Sequence, residues 1–259
     1  MRAEEIVAGS ADEVVVATID GVRLIVFNRP DARNALSRAM RRRFAALLAE
    51  ASEDPLVGCV VVTGAHGAFT AGSDIRESRA QPGPMVRPHP GEALRACARP
   101  VIAAIDGPCV TGGLEVALSC SFAIASDRST FADTHAKIGI LPAWGQSALL
   151  PRAIGVARAR QMMMTGAFVD AATALAWGLV NEVTAPEALL PRALDLGRAI
   201  AGCDRRSIDW QMRLIADHQG APLAEALAAE AAAVVRWRAG ETHYAPAPGG
   251  AMNGHQRTE

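Results

Sequence analysis

Val101-Ile102-Ala103-Ala104-Ile105-Asp106-Gly107-Pro108-Cys109-Val110-Thr111-Gly112-Gly113-Leu114-Glu115 is an apolar run that breaks at glycines and resumes as an apolar stretch carrying one carboxylate. The first five residues read as a buried strand, and Gly112 opens a helix. The same order occurs earlier, where Val60-Val61-Val62-Thr63-Gly64 leads to Ala71-Gly72-Ser73-Asp74. A strand that runs through a glycine turn into a helix leaves the first helical amides without intrahelical partners. Two such turns side by side make a cradle for one oxyanion. Glu115 would stand beside it as a proton carrier.

Outward from these turns the chain alternates strands and helices. Residues 14–19 and 22–27 are strand-like runs joined by Asp20-Gly21, a two-residue hairpin signal, so the chain opens with a hairpin. Met40, Phe44, Leu47 and Leu48 fall at helical spacing behind Ser37, a good N-cap. A strand follows at 59–63. Residues 80–91 hold Gln81-Pro82-Gly83-Pro84 and Pro88-His89-Pro90, too much proline for regular structure, and read as a mobile loop or lid beside the first glycine turn. A short helix is expected near 92–98 and a strand at 121–126. Beyond residue 153 the pattern turns helical, near 155–164, 170–177, 186–202, 205–217 and 221–238. Repeated strand, turn and helix imply parallel strands with helical crossovers, an α/β fold. A core over 1–200 and a helical region over 201–259 are expected. The tail, with Pro246, Pro248, Gly249, Gly250 and Gly254, reads as unstructured.

With 259 residues, half of them apolar and a fifth charged, the chain is long enough for one sizeable core. A net charge of -1 offers no strong field for nucleic acid or an anionic membrane, so neither is expected as a partner. Arg41-Arg42-Arg43 reads as a solvated helix face. The five cysteines have no CxxC spacing and read as reduced core residues. No apolar run approaches the roughly 20 residues of a membrane span, and the N-terminus lacks the pattern of a signal peptide, so a cytoplasmic location is expected. No metal-ligand cluster or dinucleotide fingerprint occurs in the sequence. Neither a metal nor a separate cofactor is expected.

Three blocks together resemble the crotonase, or enoyl-CoA hydratase/isomerase, superfamily: Asn28-Arg29-Pro30-Asp31-Ala32-Arg33-Asn34-Ala35-Leu36, Phe69-Thr70-Ala71-Gly72-Ser73-Asp74-Ile75 and 106–115 as quoted above. The resemblance spans residues 13–240. It implies the crotonase fold, a spiral of repeated ββα units with a C-terminal helical trimerisation region, and a homotrimer or homohexamer. It also implies acyl-CoA thioesters as substrates, with CoA entering only as part of the substrate, and a place in fatty-acid metabolism. By the same resemblance, the N–H groups of Ser73 and Gly112 form the oxyanion hole, Glu115 is a catalytic glutamate, and Gly72 and Gly113 allow close approach. Ala32, Arg33, Ala71, Ser73, Asp74, Ile75 and Arg76 border the CoA portion, with Arg33 and Arg76 as phosphate partners, and Trp144 narrows the acyl pocket or packs between helices.

One position departs from the family pattern. Hydratases with two catalytic glutamates carry the second four residues after a phenylalanine. In Phe131-Ala132-Asp133-Thr134-His135 a histidine stands there. Histidine can give or accept a proton near neutral pH, so Glu115 and His135 make an acid/base pair for hydration. Strand alternation puts Asp133 on the face of His135. An isomerase using Glu115 alone, and a non-catalytic acyl-CoA binder, are the alternatives. His66, His89, His218, His243 and His255 receive no role. Met162-Met163-Met164 reads as core or subunit contact.

Overall fold

The structure is a computed structural model and describes residues 1–242 and 244. The chain divides into two compact units, Met1–Ala201 and Gly202–Glu259.

In the first unit the elements run α1 (Ala3–Val7), β1 (Val14–Ile19), β2 (Val22–Phe27), α2 (Arg38–Glu53), β3 (Cys59–Gly64), α3 (Ile75–Ala80), α4 (Pro90–Ala96), β4 (Val101–Ile105), β5 (Pro108–Val110), α5 (Gly112–Ser119), β6 (Phe122–Ser126) and β7 (Thr130–Ala132). There follow α6 (Gln146–Ile154), α7 (Val156–Thr165), β8 (Val169–Asp170), α8 (Ala171–Trp177), β9 (Glu182–Thr184) and α9 (Pro186–Ala201). One sheet has six strands in the order β1-β2-β3-β4-β6-β9, antiparallel only at the opening hairpin. A second sheet has three, in the order β5-β7-β8. β4 and β6 of the large sheet are each followed by a strand in the small one and then a helix: β4-β5-α5, then β6-β7-α6. This is the ββα repeat.

Local chemistry explains the elements. Asp20 and Gly21 both adopt positive φ (49° and 79°), as a tight hairpin turn requires. Ser37 caps α2 by accepting from the Met40 N–H at 3.1 Å, and Met40, Phe44, Leu47, Leu48 and Ala51 are buried beneath it. β3 and β4 are buried at every residue, as strands covered on both faces must be. Leu189, Leu190, Ala193 and Leu194 of α9 cover one face of this sheet against Leu24, Val61 and Ile102.

Several expectations need correction. A helix, α1, precedes the hairpin. The irregular segment is shorter than expected, because His89 already caps α4. Arg41 is buried at 5 % exposure while Arg42 and Arg43 stay in solvent, so the arginine run is not a solvated face. Cys203 is exposed, unlike the buried Cys59, Cys97 and Cys109. α6, which directly follows the Trp144 turn, had no counterpart in the sequence reading.

The second unit pairs α10 (Arg205–His218) with α11 (Leu223–Arg238) around Trp210, Ala233 and Tyr244. The proline- and glycine-rich tail expected to be unstructured lies outside the described residues. Among the described residues, no helix is long and apolar enough to cross a membrane.

Candidate active site

The two glycine turns meet. Leu36 pairs with Ser73 in an isolated parallel bridge, in which the Leu36 N–H donates to Gly72 O (2.7 Å) and the Asp74 N–H donates to Leu36 O (3.1 Å). Because peptide groups alternate along an extended segment, the Ser73 N–H is turned away from Leu36. On the other side lies Gly112, the first residue of α5. A Cβ on Gly112 would come 3.1 Å from Ser73 N and 2.8 Å from Trp144 Cζ3, and one on Gly72 would come 2.6 Å from Gly112 N. Neither the Ser73 nor the Gly112 N–H donates to a protein acceptor among the described residues. Two amides thus converge, unspent, where only glycine permits the approach.

The residue before Gly112 is strained. Thr111 has φ 58° and ψ -111°, a region β-branched residues rarely enter. Its N–H donates to Ala132 O (2.8 Å), and its hydroxyl shares a hydrogen bond with that of Thr134 (2.5 Å). These contacts bind the start of α5 to the turn that carries His135.

Glu115 is one turn into α5 and 2 % exposed. Its Oε1 accepts from the backbone N–H of Trp144 (2.6 Å) and of Gln146 (3.2 Å). Its Oε2 faces His135 Nε2 at 3.6 Å. That separation is too long for a good direct hydrogen bond and leaves both atoms able to engage a third group. His135, 5 % exposed, is not on a strand: β7 ends at Ala132, and Asp133 closes a tight turn by accepting from both His135 N (2.9 Å) and His135 Nδ1 (2.6 Å) at one carboxylate oxygen. The expectation that Asp133 and His135 share a side is met through this turn. Burial alone would depress the His135 pKa, but hydrogen bonds and charge from Asp133 and Glu115 outweigh it and push it up to about 9. At neutral pH His135 is therefore an imidazolium, with Nδ1–H on Asp133 and Nε2–H toward Glu115.

Trp144 closes the next side. Its indole lies against Gly112, stacks on His89 (centroids 6.3 Å apart, 21° between planes) and carries the Arg41 guanidinium 5.9 Å from its centroid. Its carbonyl accepts from Arg95 Nη1 at 3.1 Å. His89 is buried and accepts the Glu92 N–H at Nδ1 (3.1 Å). Burial, then the positive charges of Arg87 and Arg95, pull its pKa down to about 4, so it stays neutral. His89 received no role from the sequence, yet it packs against the Trp144 indole. The side chain of Gln146 is fully buried, and neither of its polar atoms finds a partner among the described residues.

The residues expected around CoA are dispersed in character. Ala32 ends a 3-10 turn (Pro30–Ala32), and the Ala71 N–H donates to Arg33 O at 3.1 Å, joining the first two blocks. Arg33 and Arg76 are exposed, and neither guanidinium is bonded to the protein among the described residues. Asp74 is spent: it caps α3 through the Glu77 N–H (3.0 Å) and accepts from Arg29 Nη1 (2.6 Å). Ile75 is the first residue of α3, and Gly113 packs on Thr70. No group of three potential metal ligands occurs among the described residues.

The sequence profile of the enoyl-CoA hydratase/isomerase family matches residues 17–240. This chain belongs to that family. A Rhizobium meliloti (strain 1021) protein named "Probable enoyl-CoA hydratase" is 38% identical over 196 residues, 74% of this chain and 76% of the relative. The crystal structure of enoyl-CoA hydratase from Mycobacterium tuberculosis H37Rv superposes with a TM-score of 0.75 at 40% identity, covering 88% of this chain and 100% of that one. A third family member, 4-chlorobenzoyl coenzyme A dehalogenase-2 of Arthrobacter sp, is 32% identical over 204 residues, 75% of this chain and 74% of its own. The family frame thus accommodates more than one named chemistry, and the side chains within it must distinguish them.

Proposed function

We propose that this protein is an enoyl-CoA hydratase, adding water across the 2-trans double bond of an acyl-CoA thioester. The observation that carries this reading is the buried Glu115–His135 pair beside two free amides. The Ser73 and Gly112 N–H groups form an oxyanion hole that holds the thioester oxygen as negative charge builds on it. Glu115 Oε2 takes a proton from water as the oxygen adds to the β-carbon, and His135 Nε2–H supplies a proton to the α-carbon. The charge on His135 suits this direction, because its imidazolium Nε2–H is a donor beside the reacting carbons. After turnover Glu115 holds the proton and His135 lacks one, and transfer between the two facing atoms restores the start.

The presence of a second acid removes the main support for an isomerase working with Glu115 alone. Arg33 and Arg76, exposed and unbonded, are the phosphate partners for CoA on this reading. The protein acts as a homotrimer or homohexamer in the cytoplasm; exposed Ile215, Leu223, Leu227 and Val235 on the second unit support self-association. The test is loss of conjugated-thioester ultraviolet absorbance with crotonyl-CoA and with a longer 2-trans-enoyl-CoA. Glu115→Gln should slow it by roughly a hundredfold to ten-thousandfold. No absorbance loss with either substrate would overturn the reading.

A further inference from the structure

Hydration as described uses Glu115, His135 and two amides, and it leaves a buried cation without a task. Arg41 is 5 % exposed, yet among the described residues its guanidinium makes one weak hydrogen bond, from Nε to Ser37 O at 3.4 Å. The nearest carboxylate oxygen, Glu77 Oε2, stands 4.0 Å from Nη2 and already accepts the Arg38 N–H at 2.8 Å. A guanidinium has five donors in a planar fork, and burying it without partners is costly. Its position is specific. Arg41 lies over the face of Trp144, whose far edge touches Gly112 and whose backbone N–H holds Glu115. The indole therefore joins the guanidinium to Gly112 of the oxyanion hole, and its backbone joins it to Glu115. Arg95, the other cation against Trp144, is occupied by Ser119 Oγ and Trp144 O.

We infer that Arg41 receives a carboxylate at the far end of the acyl group, so that the substrates are enoyl thioesters of short dicarboxylic acids. The inference rests on the hydratase reading for its reaction and on Arg41 for its specificity. A carboxylate a few bonds beyond the β-carbon matches the fork with two parallel N–H···O bonds and supplies the charge that Glu77 gives only at a distance. An unsubstituted alkyl chain would bring apolar carbons against a desolvated cation.

The test compares trans-2-hexenedioyl mono-CoA with trans-2-hexenoyl-CoA, which differ only in a carboxylate for a methyl group. In the wild-type protein kcat/KM should favour the carboxylated thioester by at least about tenfold, the worth of one charge-assisted hydrogen bond. Arg41→Gln should erase that ratio, and Arg41→Lys, which keeps charge without the fork, should leave part of it. Arg43→Gln, on the solvent side of α2, should leave it intact. A wild-type ratio of one or less overturns the inference, as does an Arg41→Gln variant that lowers both substrates alike, since a purely structural arginine would do that. Thermal protection by the unreactive adipyl mono-CoA against hexanoyl-CoA reads the same preference without turnover. If neither enoyl thioester is consumed but adipyl mono-CoA protects better, the hydratase reading fails and the carboxylate site stands. Equal protection by the two removes the site.

Discussion

At the scale of single residues, the site turns on what holds His135. Asp133 and Glu115 keep the imidazole charged to about pH 9, so kcat/KM should be level through neutrality and fall as pH rises past that value. Asp133→Asn removes an anion and an acceptor from Nδ1, and should move this alkaline limb to lower pH by a measurable fraction of a unit or more. A pH–rate profile that is unchanged in the variant would separate Asp133 from the titration. His135→Gln should abolish the limb altogether and slow hydration by roughly a hundredfold. Hydratase activity that survives this substitution intact would take His135 out of the mechanism. The count from Phe131 was sufficient to locate His135; its charge state was not legible, because it depends on a turn at Asp133 and on a carboxylate twenty positions away in sequence.

At the scale of elements, the question is what brings two loops within contact. Asn34, fully buried and in the left-handed region (φ 56°), donates from Nδ2 to Ala65 O (2.9 Å) and Ala68 O (2.7 Å) while its Oδ1 accepts from the Arg29 N–H (2.7 Å). It thereby ties the segment before α2 to the loop after β3. Thr70 Oγ1 donates to Asn34 O (2.6 Å) and accepts the Gly72 N–H (3.0 Å), which sets the first glycine turn. Thr111 does the same for the second. Thr111→Val keeps the side chain's shape but removes its bonds to Thr134, and should lower kcat by about tenfold with a smaller change in KM, because it loosens donor placement rather than binding. Equal changes in both parameters would count against a positioning role. Gly72→Ala meets the Gly112 backbone at 2.6 Å from a positive φ of 84°, so it should cost both stability and rate; a folded, fully active variant would show that the two turns do not need their close approach.

For the whole molecule, two buried histidines give opposite pH dependences of stability. The folded pKa of His135, about 9, exceeds the ordinary 6.5, so its contribution is complete below 6.5 and is lost as pH rises to about 9. The folded pKa of His89, about 4, lies below 6.5, so its contribution is complete above 6.5 and is lost as pH falls toward 4. The melting temperature should therefore peak near pH 6.5 and fall on both sides. His135→Gln should flatten the alkaline side and His89→Gln the acidic side, as read by thermal denaturation across the pH range. A melting temperature that climbs steadily from pH 4 to 9 would contradict the His135 assignment, and one that falls steadily would contradict that of His89.

Local patterns were enough for much of this protein. The hairpin at Asp20-Gly21, the capped α2, the apolar runs of β3 and β4, the glycine at the mouth of α5 and the lone carboxylate at Glu115 all follow from turn chemistry and hydrophobic period, which act over a few residues. The three blocks in order placed the chain among the crotonases. Tertiary structure alone decided the rest. Arg41 shares a helical face with Phe44 and Leu48, three and seven residues on, a spacing that signals burial; its charge concealed it, and only Trp144 and Glu77, brought in by other segments, show what it faces. Thr111 takes its strained φ because Ala132 and Thr134 hold it, and the Ser73 and Gly112 amides converge because Asn34, Thr70 and Thr111 draw separate loops together. Long-range hydrogen bonds have no period along a chain, and so the site's geometry belongs to the fold.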